Sequence, residues 1–196
     1  MSFFRKLFGL ASNEPEEELA KNQPVELSLE DSFAHHFTEK GGKFLYCTTK
    51  KEVLSNFNQI LNENNWKEIV CNDKKLSSFV RDKSVHVLNN IEGLSPFFTR
   101  CEHLISDTGD ILFSSNQLKS NKIASLTDNF IVYATTSQLV KDIGQGLTGI
   151  KTNCKNNIPT NISAIKNYVI GNNDDNFLNY GNNNSKNLYL LLFEDL

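Results

Sequence analysis

Between Lys43 and Leu88 the chain alternates short apolar runs with stretches of helical period, and that rhythm restricts its fold more than any other feature. Lys43–Cys47 (K-F-L-Y-C) reads as a strand. Thr49-Lys50-Lys51-Glu52 has the spacing of a capping box, with Thr at the N-cap and Glu three residues on. It opens a helix whose Val53, Leu54, Phe57, Ile60 and Leu61 make one apolar stripe. Asn62–Asn65 ends that helix, and Trp66–Cys71 reads as a second strand. A short helical or loop segment over Lys74–Arg81 and a third strand over Ser84–Leu88 follow. Strand, helix, strand, short helix, strand is the pattern of parallel βαβ units, whose crossovers are right-handed. The expectation is an α/β fold with a mostly parallel sheet flanked by helices.

The rest of the chain extends this pattern. Ser28 with Asp31 can cap a helix in which Leu29, Phe33 and Phe37 share a face, and Gly41-Gly42 stop it. His35 and His36 ride on that helix, one expected toward solvent and one beside the core. Phe97–Arg100 leads into a strand at Cys101–Ile105, in which His103 reads as a core or edge residue. Asp128–Ala134 (D-N-F-I-V-Y-A) is a buried strand. Thr136 or Ser137 then caps a helix carrying Leu139, Val140, Ile143 and Leu147 on one side, which ends in the Gly144–Gly149 region. Lys151–Pro159 reads as loop, and Asn167–Ile170 and Leu188–Phe193 as the last two strands.

A chain of 196 residues is most simply one domain, and at this size it can bury roughly 70% of its unfolded surface. Residues 1–27 read as a flexible N-terminal segment and 28–196 as the domain. Ala11–Val25 is acidic, polar and linker-like. Met1–Leu10 is too short and interrupted for a signal-peptide core or a membrane span, so no stable membrane insertion is expected. A formal charge of −3 gives no electrostatic footprint for nucleic acid. Cys47, Cys71, Cys101 and Cys154 lie far apart with no C-x-x-C pair, so neither a zinc cluster nor an iron–sulfur run is written here. Each falls in or beside an apolar stretch, which suits a reduced thiol in a cytoplasmic protein. No metal or cofactor is expected.

The candidate chemistry gathers in Leu104–Ser115 (L-I-S-D-T-G-D-I-L-F-S-S). Leu104-Ile105 can end one strand, Asp107-Thr108-Gly109-Asp110 can turn, and Ile111–Phe113 can begin the next. Gly109 supplies the positive φ that such a turn needs, and Asp107 can bond its own backbone two residues on. The segment reads either as an ordinary hairpin turn or as a site presented at one fixed spot.

Four stretches in order resemble the LUD family, the group that includes lactate-utilisation protein C. They are the Phe-bearing helix ending in Gly41-Gly42; I-S-D-T-G-D-I-L-F, which looks like the family's acid-Thr-Gly turn with Asp107 where Glu is usual; N-F-I-V-Y-A-T-T-S-Q-L-V; and Y-V-I-G at 168–171, Gly181 and K-N-L-Y-L-L-L at 186–192. The resemblance implies a Rossmann-like fold related to ribose-5-phosphate isomerase, CoA transferases and formyltetrahydrofolate cyclo-ligase. It implies Asp107 and Thr108 as candidate catalytic residues, and Gly109, Gly171, Asp174, Asp175, Gly181 and Lys186 as candidate ligand-binding residues. It also implies an auxiliary subunit in oxidation of L-lactate or a related organic acid, beside iron–sulfur and cysteine-rich partner proteins. The alternatives are a stand-alone enzyme using Asp107 on a carboxylate, acyl-CoA or sugar-phosphate substrate, and a non-catalytic interaction domain. The family's Pro-Ser-Arg/Lys-Thr after the late Gly is replaced by Asn172-Asn173-Asp174-Asp175, which puts two anions where an organic-acid or phosphate ligand would need cations. Its His-Gly-Pro before the last strand survives here only as Gly181.

Overall fold

Two strands whose side chains between the ends are aliphatic or aromatic form the middle of the structure. The computed structural model describes residues 27–80, 85–89, 94–153, 158–170 and 184–195. In chain order the elements are α1 (Leu29–Glu39), β1 (Lys43–Cys47), α2 (Lys50–Glu63), β2 (Glu68–Val70), α3 (Lys74–Val80), β3 (His86–Leu88), β4 (Phe97–Arg100), β5 (His103–Ile105) and β6 (Asp110–Ser114). They continue with α4 (Ser115–Leu118), a 3₁₀ turn (Ile123–Ser125), β7 (Asn129–Thr135), a second 3₁₀ turn (Thr136–Gln138), β8 (Leu139–Val140), α5 (Ile143–Asn153), β9 (Ile162–Ile165) and β10 (Asn187–Phe193).

The main sheet has six parallel strands in the order β1-β10-β7-β4-β2-β3. Its central pair aligns Leu188 with Phe130 and Leu190 with Val132. On one face Leu188, Leu190, Val132 and Phe97 meet Phe33 and Phe37 of α1 and a second, four-stranded sheet. On the other, Tyr189, Leu191, Ile131 and Phe98 meet Val53, Phe57 and Ile60 of α2 and Leu76 and Val80 of α3. Both faces are covered, as an all-parallel sheet requires, and the near-continuous apolar runs of β7 and β10 follow from that. The α/β architecture is that expected from the sequence.

The second sheet runs β8-β5-β6-β9, with β5–β6 and β6–β9 antiparallel and β5–β8 parallel. It revises several sequence expectations. Phe97–Arg100 is itself a strand of the main sheet, and the chain leaves that sheet at Cys101-Glu102 before β5. Leu139-Val140 is not helical, because it pairs with Leu104-Ile105. The helix begins only at Ile143 and packs through Gly146 and Ile150, leaving Ile143 and Leu147 exposed. A Cβ on Gly146 would lie 2.9 Å from Leu112 Cδ1, so this seat depends on a missing side chain. Lys151–Asn153 is helix rather than loop. The strand expected at Asn167–Ile170 lies earlier, at Ile162–Ile165, where it pairs with β6.

Capping follows the sequence closely. Ser28 Oγ accepts from Asp31 N at 3.1 Å, and Thr49 Oγ1 accepts from Glu52 N at 3.2 Å. The Glu52 carboxylate reaches past the N-cap to Thr48 N at 2.7 Å, a shifted form of the reciprocal bond. No described helix is long and apolar enough to cross a membrane.

Leu190 is fully buried on the inner strand of the sheet. Leu190→Ala is expected to cost about 2–5 kcal/mol, read as a lower denaturation midpoint with the slope unchanged.

Candidate functional site

The Asp107–Asp110 turn is a hairpin turn between β5 and β6. It closes through Gly109 N to Ile105 O at 2.7 Å and Thr108 N to Ile105 O at 3.4 Å. Gly109 has φ +69°, and a Cβ there would lie 2.5 Å from Phe37 N and 2.7 Å from His36 C. The turn is thus pressed against the α1 backbone, which only glycine permits. On its other side Tyr168 Oη donates to Gly109 O at 2.6 Å, deep in the core. Burial, and then the Asp110 carboxylate, drive the Tyr168 phenol well above its ordinary range. Asp110 is itself paired with Lys40 Nζ at 2.8 Å.

The residue before the turn is equally constrained. Ser106 O accepts from Ser32 Oγ at 3.1 Å, and His36 Nδ1 lies 3.0 Å from it, so that nitrogen carries the proton. Ser106 Oγ is buried without a partner among the described residues. Asp107 and Thr108, by contrast, are exposed, and their side chains make no hydrogen bond or ion pair with a described residue. The Asx bond foreseen for Asp107 is absent because the Gly109 amide bonds Ile105 O instead.

Lys186 is only 2% exposed and lies just before β10. Its Nζ donates to Leu126 O at 2.9 Å and to Asp128 Oδ1 at 3.3 Å, and sits 5.9 Å from the centre of the Phe130 ring. It ties β10 to the entry of β7. Gly171, Asp174, Asp175 and Gly181 lie outside the described residues, as does Cys154. Of the sequence candidates, the structure therefore joins Asp107, Thr108 and Gly109 in one turn and places Lys186 separately, at the amino end of the main sheet. His35 pairs with Glu39 at 3.4 Å on the surface, and His103 Nδ1 lies 3.3 Å from Gln138 O with its ring under Gly149.

A second polar cluster escaped the sequence reading. In the main sheet the chain runs outward from β2 to β3, but inward from the neighbouring β4 to β7. The connection after β2 goes to α3 on one face, and that after β4 goes to the β5–β6 hairpin on the other. This makes a topological switch point, where open α/β sheets form a crevice at the carboxyl ends of their strands. There Asp73 Oδ2 accepts from Arg100 Nε at 2.5 Å, while Oδ1 caps α3 through Lys75 N and Leu76 N. Burial works against the Asp73 carboxylate, but the Leu76 amide and Arg100 outweigh it and hold its pKa down.

Arg100 pairs in register with Tyr133, so both side chains leave the same face of the sheet. Burial and then the Asp195 carboxylate push the Tyr133 phenol up, and Arg100 pulls it back. Asp195 follows β10 and accepts from Thr136 Oγ1 at 2.8 Å, Ser137 N at 3.0 Å and Ser137 Oγ at 2.6 Å. Those bonds outweigh partial burial and hold its carboxyl at about 2. The available signal was positional: each of these residues is among the last of an apolar strand or the first polar ones beyond it. Among the described residues no group of three or more His, Cys, Asp or Glu is placed to hold a metal ion. Cys47, Cys71 and Cys101 are buried, and burial raises all three thiols.

The sequence profile of the LUD domain matches residues 31–193. The chain belongs to the LUD domain family. The match takes in α1, both sheets and the hairpin turn. The fold is similar to that of a DUF162 family protein from Deinococcus radiodurans, with a TM-score of 0.60 at 13% identity over 85% of this chain and 96% of that one. No curated protein matches the chain.

The packing of this LUD domain's turn makes two substitutions diagnostic. Gly109→Ala is expected to cost about 2–4 kcal/mol, from left-handed backbone strain and collision with α1. Ser106→Ala removes a buried hydroxyl that no described group satisfies, so it is expected to leave stability unchanged or raise it by about 1 kcal/mol. Chemical denaturation of the two variants beside the parent chain reads both effects.

Proposed function

We propose that this LUD-domain chain is a non-catalytic, auxiliary subunit in the oxidation of L-lactate or a related organic acid, working beside iron–sulfur and cysteine-rich partner proteins. Family membership supports this reading, and one structural observation carries it. The turn that bears the resemblance is built into the scaffold at Gly109, whereas Asp107 and Thr108 point to solvent with no acid, base or cation bonded to them among the described residues. A nucleophilic or basic carboxylate needs a neighbour that orients it or a site that excludes water. An exposed turn held rigidly from behind suits contact with a second protein.

A tagged full-length chain, isolated from its own cells, is expected to bring down a partner with iron–sulfur absorbance. Deleting the gene is expected to abolish growth on L-lactate, and Asp107→Asn is expected to restore it as well as the parent does. Turnover of a carboxylate, acyl-CoA or sugar phosphate by the purified chain alone, lost in Asp107→Asn, would instead establish a stand-alone enzyme.

A further inference from the structure

The outer face of the second sheet is only partly covered. Gly146 of α5 sits over it, where a Cβ would meet Leu112 Cδ1, Ile105 Cδ1 and Val140 Cγ2, and Gly149 lies against the His103 ring. Going round the helix, Gly149, Gly146, Ile150, Ile143 and Leu147 follow one another in that order, from β5 past β6. Ile143 and Leu147 therefore stand on the flank turned toward β9. A right-handed crossover from β8 through α5 to the parallel β9 puts them on the same side. β9 carries Ile162 and Ala164 on this outer face, opposite Ser114 and Leu112. Ile143 is 49% exposed, Leu147 42% and Ile162 37%, so an apolar channel between α5 and β9 has no cover among the described residues. Its rim is cationic. Lys151 follows Leu147 by one turn and Lys166 follows Ala164 by two residues, both exposed and neither ion-paired with a described residue. Asp110, which faces the same way, is already held by Lys40.

We propose that this channel is the docking site for the chain's own Met1–Leu10, with Phe3, Phe4, Leu7 and Phe8 laid against Ile143, Leu147 and Ile162. Reach selects that occupant first. Ser32 Oγ bonds Ser106 O and Ser106 N bonds Val140 O, so α1 starts beside the entry to α5, and residue 27 comes in there. A linker of the 16 residues 11–26 has a root-mean-square span of about 20–24 Å, against about 16 Å for the whole of α5. A tether of that length holds the segment at roughly millimolar effective concentration, which a separate protein would have to match. Pattern selects it too: Phe3 with Leu7 and Phe4 with Phe8 are spaced i, i+4, with Arg5 and Lys6 between them. Charge agrees. Glu14, Glu16, Glu17 and Glu18 follow the apolar stretch and complement Lys151 and Lys166. Residues 1–26 carry five carboxylate side chains against three cationic ones, which opposes the alternative of a seat on an anionic lipid surface. The inference is independent of the auxiliary-subunit reading, since it concerns one chain alone.

Hydrogen exchange of the purified full-length chain, read by mass spectrometry over residues 3–8, tests it. Those amides are expected to exchange about tenfold or more slowly than a free peptide of the same sequence, at a rate independent of protein concentration. Leu147→Asp changes an exposed position and is expected to leave the denaturation midpoint in place while restoring the free-peptide rate. Lys151→Glu is expected to move the rate part of the way, with a larger effect at low salt. The paired change Phe4→Ser and Phe8→Ser, made in the segment itself, is expected to shift the methyl resonances of Ile143, Leu147 and Ile162. Free-peptide exchange in the parent, protection that survives Leu147→Asp, protection that grows with protein concentration, or protection that needs added anionic vesicles would each overturn the proposal.

Discussion

The main sheet is buried on both faces, and most of the structure is a consequence. A strand in that position tolerates few polar groups between its ends, so β7 and β10 are apolar between their ends apart from the hydroxyls of Tyr133 and Tyr189, and their other hydrogen-bonding side chains collect at the rims. Asn129 and Asn187 meet at the amino end, bonded at 2.7 Å. Tyr133, Thr135 and Asp195 stand at the carboxyl end. Position and chemistry are set together by one constraint, the exclusion of water from two faces of the same sheet.

The two rims are used differently. Near the amino ends the polar groups are consumed by the scaffold. Lys186 holds the entry to β7 through Leu126 O and Asp128, Lys40 holds Asp110, and Tyr168 Oη holds Gly109 O. These bonds let a buried cation and a buried phenol persist in the interior, where an unpaired one would be costly. At the carboxyl ends the bonds are incomplete: Arg100 Nη1 has no partner among the described residues, and the Tyr133 hydroxyl bonds none of them. The turn that most resembles the family pattern is pressed against α1 at Gly109 and tied to the core by Tyr168.

This division explains what could be read from the sequence. The βαβ rhythm, the caps at Ser28 and Thr49 and the hairpin turn at Gly109 depend on neighbours within a few residues, and all were legible. Leu139-Val140 misled because its apolar spacing fits a helix face, whereas the deciding partner, β5, is over thirty residues upstream. Ile162–Ile165 was passed over for a similar reason: its partner β6 makes it a strand, and only Ile165 is fully buried. The Arg100–Tyr133–Asp195 cluster is assembled by sheet order alone, from three segments with no common motif. Nothing local marks such a cluster. Lys186 shows the converse, since a lone lysine beside an apolar strand gives no sign that Leu126 O and Asp128 already hold it.

Because β7 and β10 are the doubly covered centre of the main sheet, they are expected to be the most stable part of the molecule, with the hairpin sheet added to them. Native-state hydrogen exchange measures this directly. The account predicts that the amides of Val132, Leu190 and Leu191 exchange only through global unfolding, with those of β5 and β6 opening at lower free energy. Exchange of the β10 amides before those of Leu104 and Ile111 would contradict it.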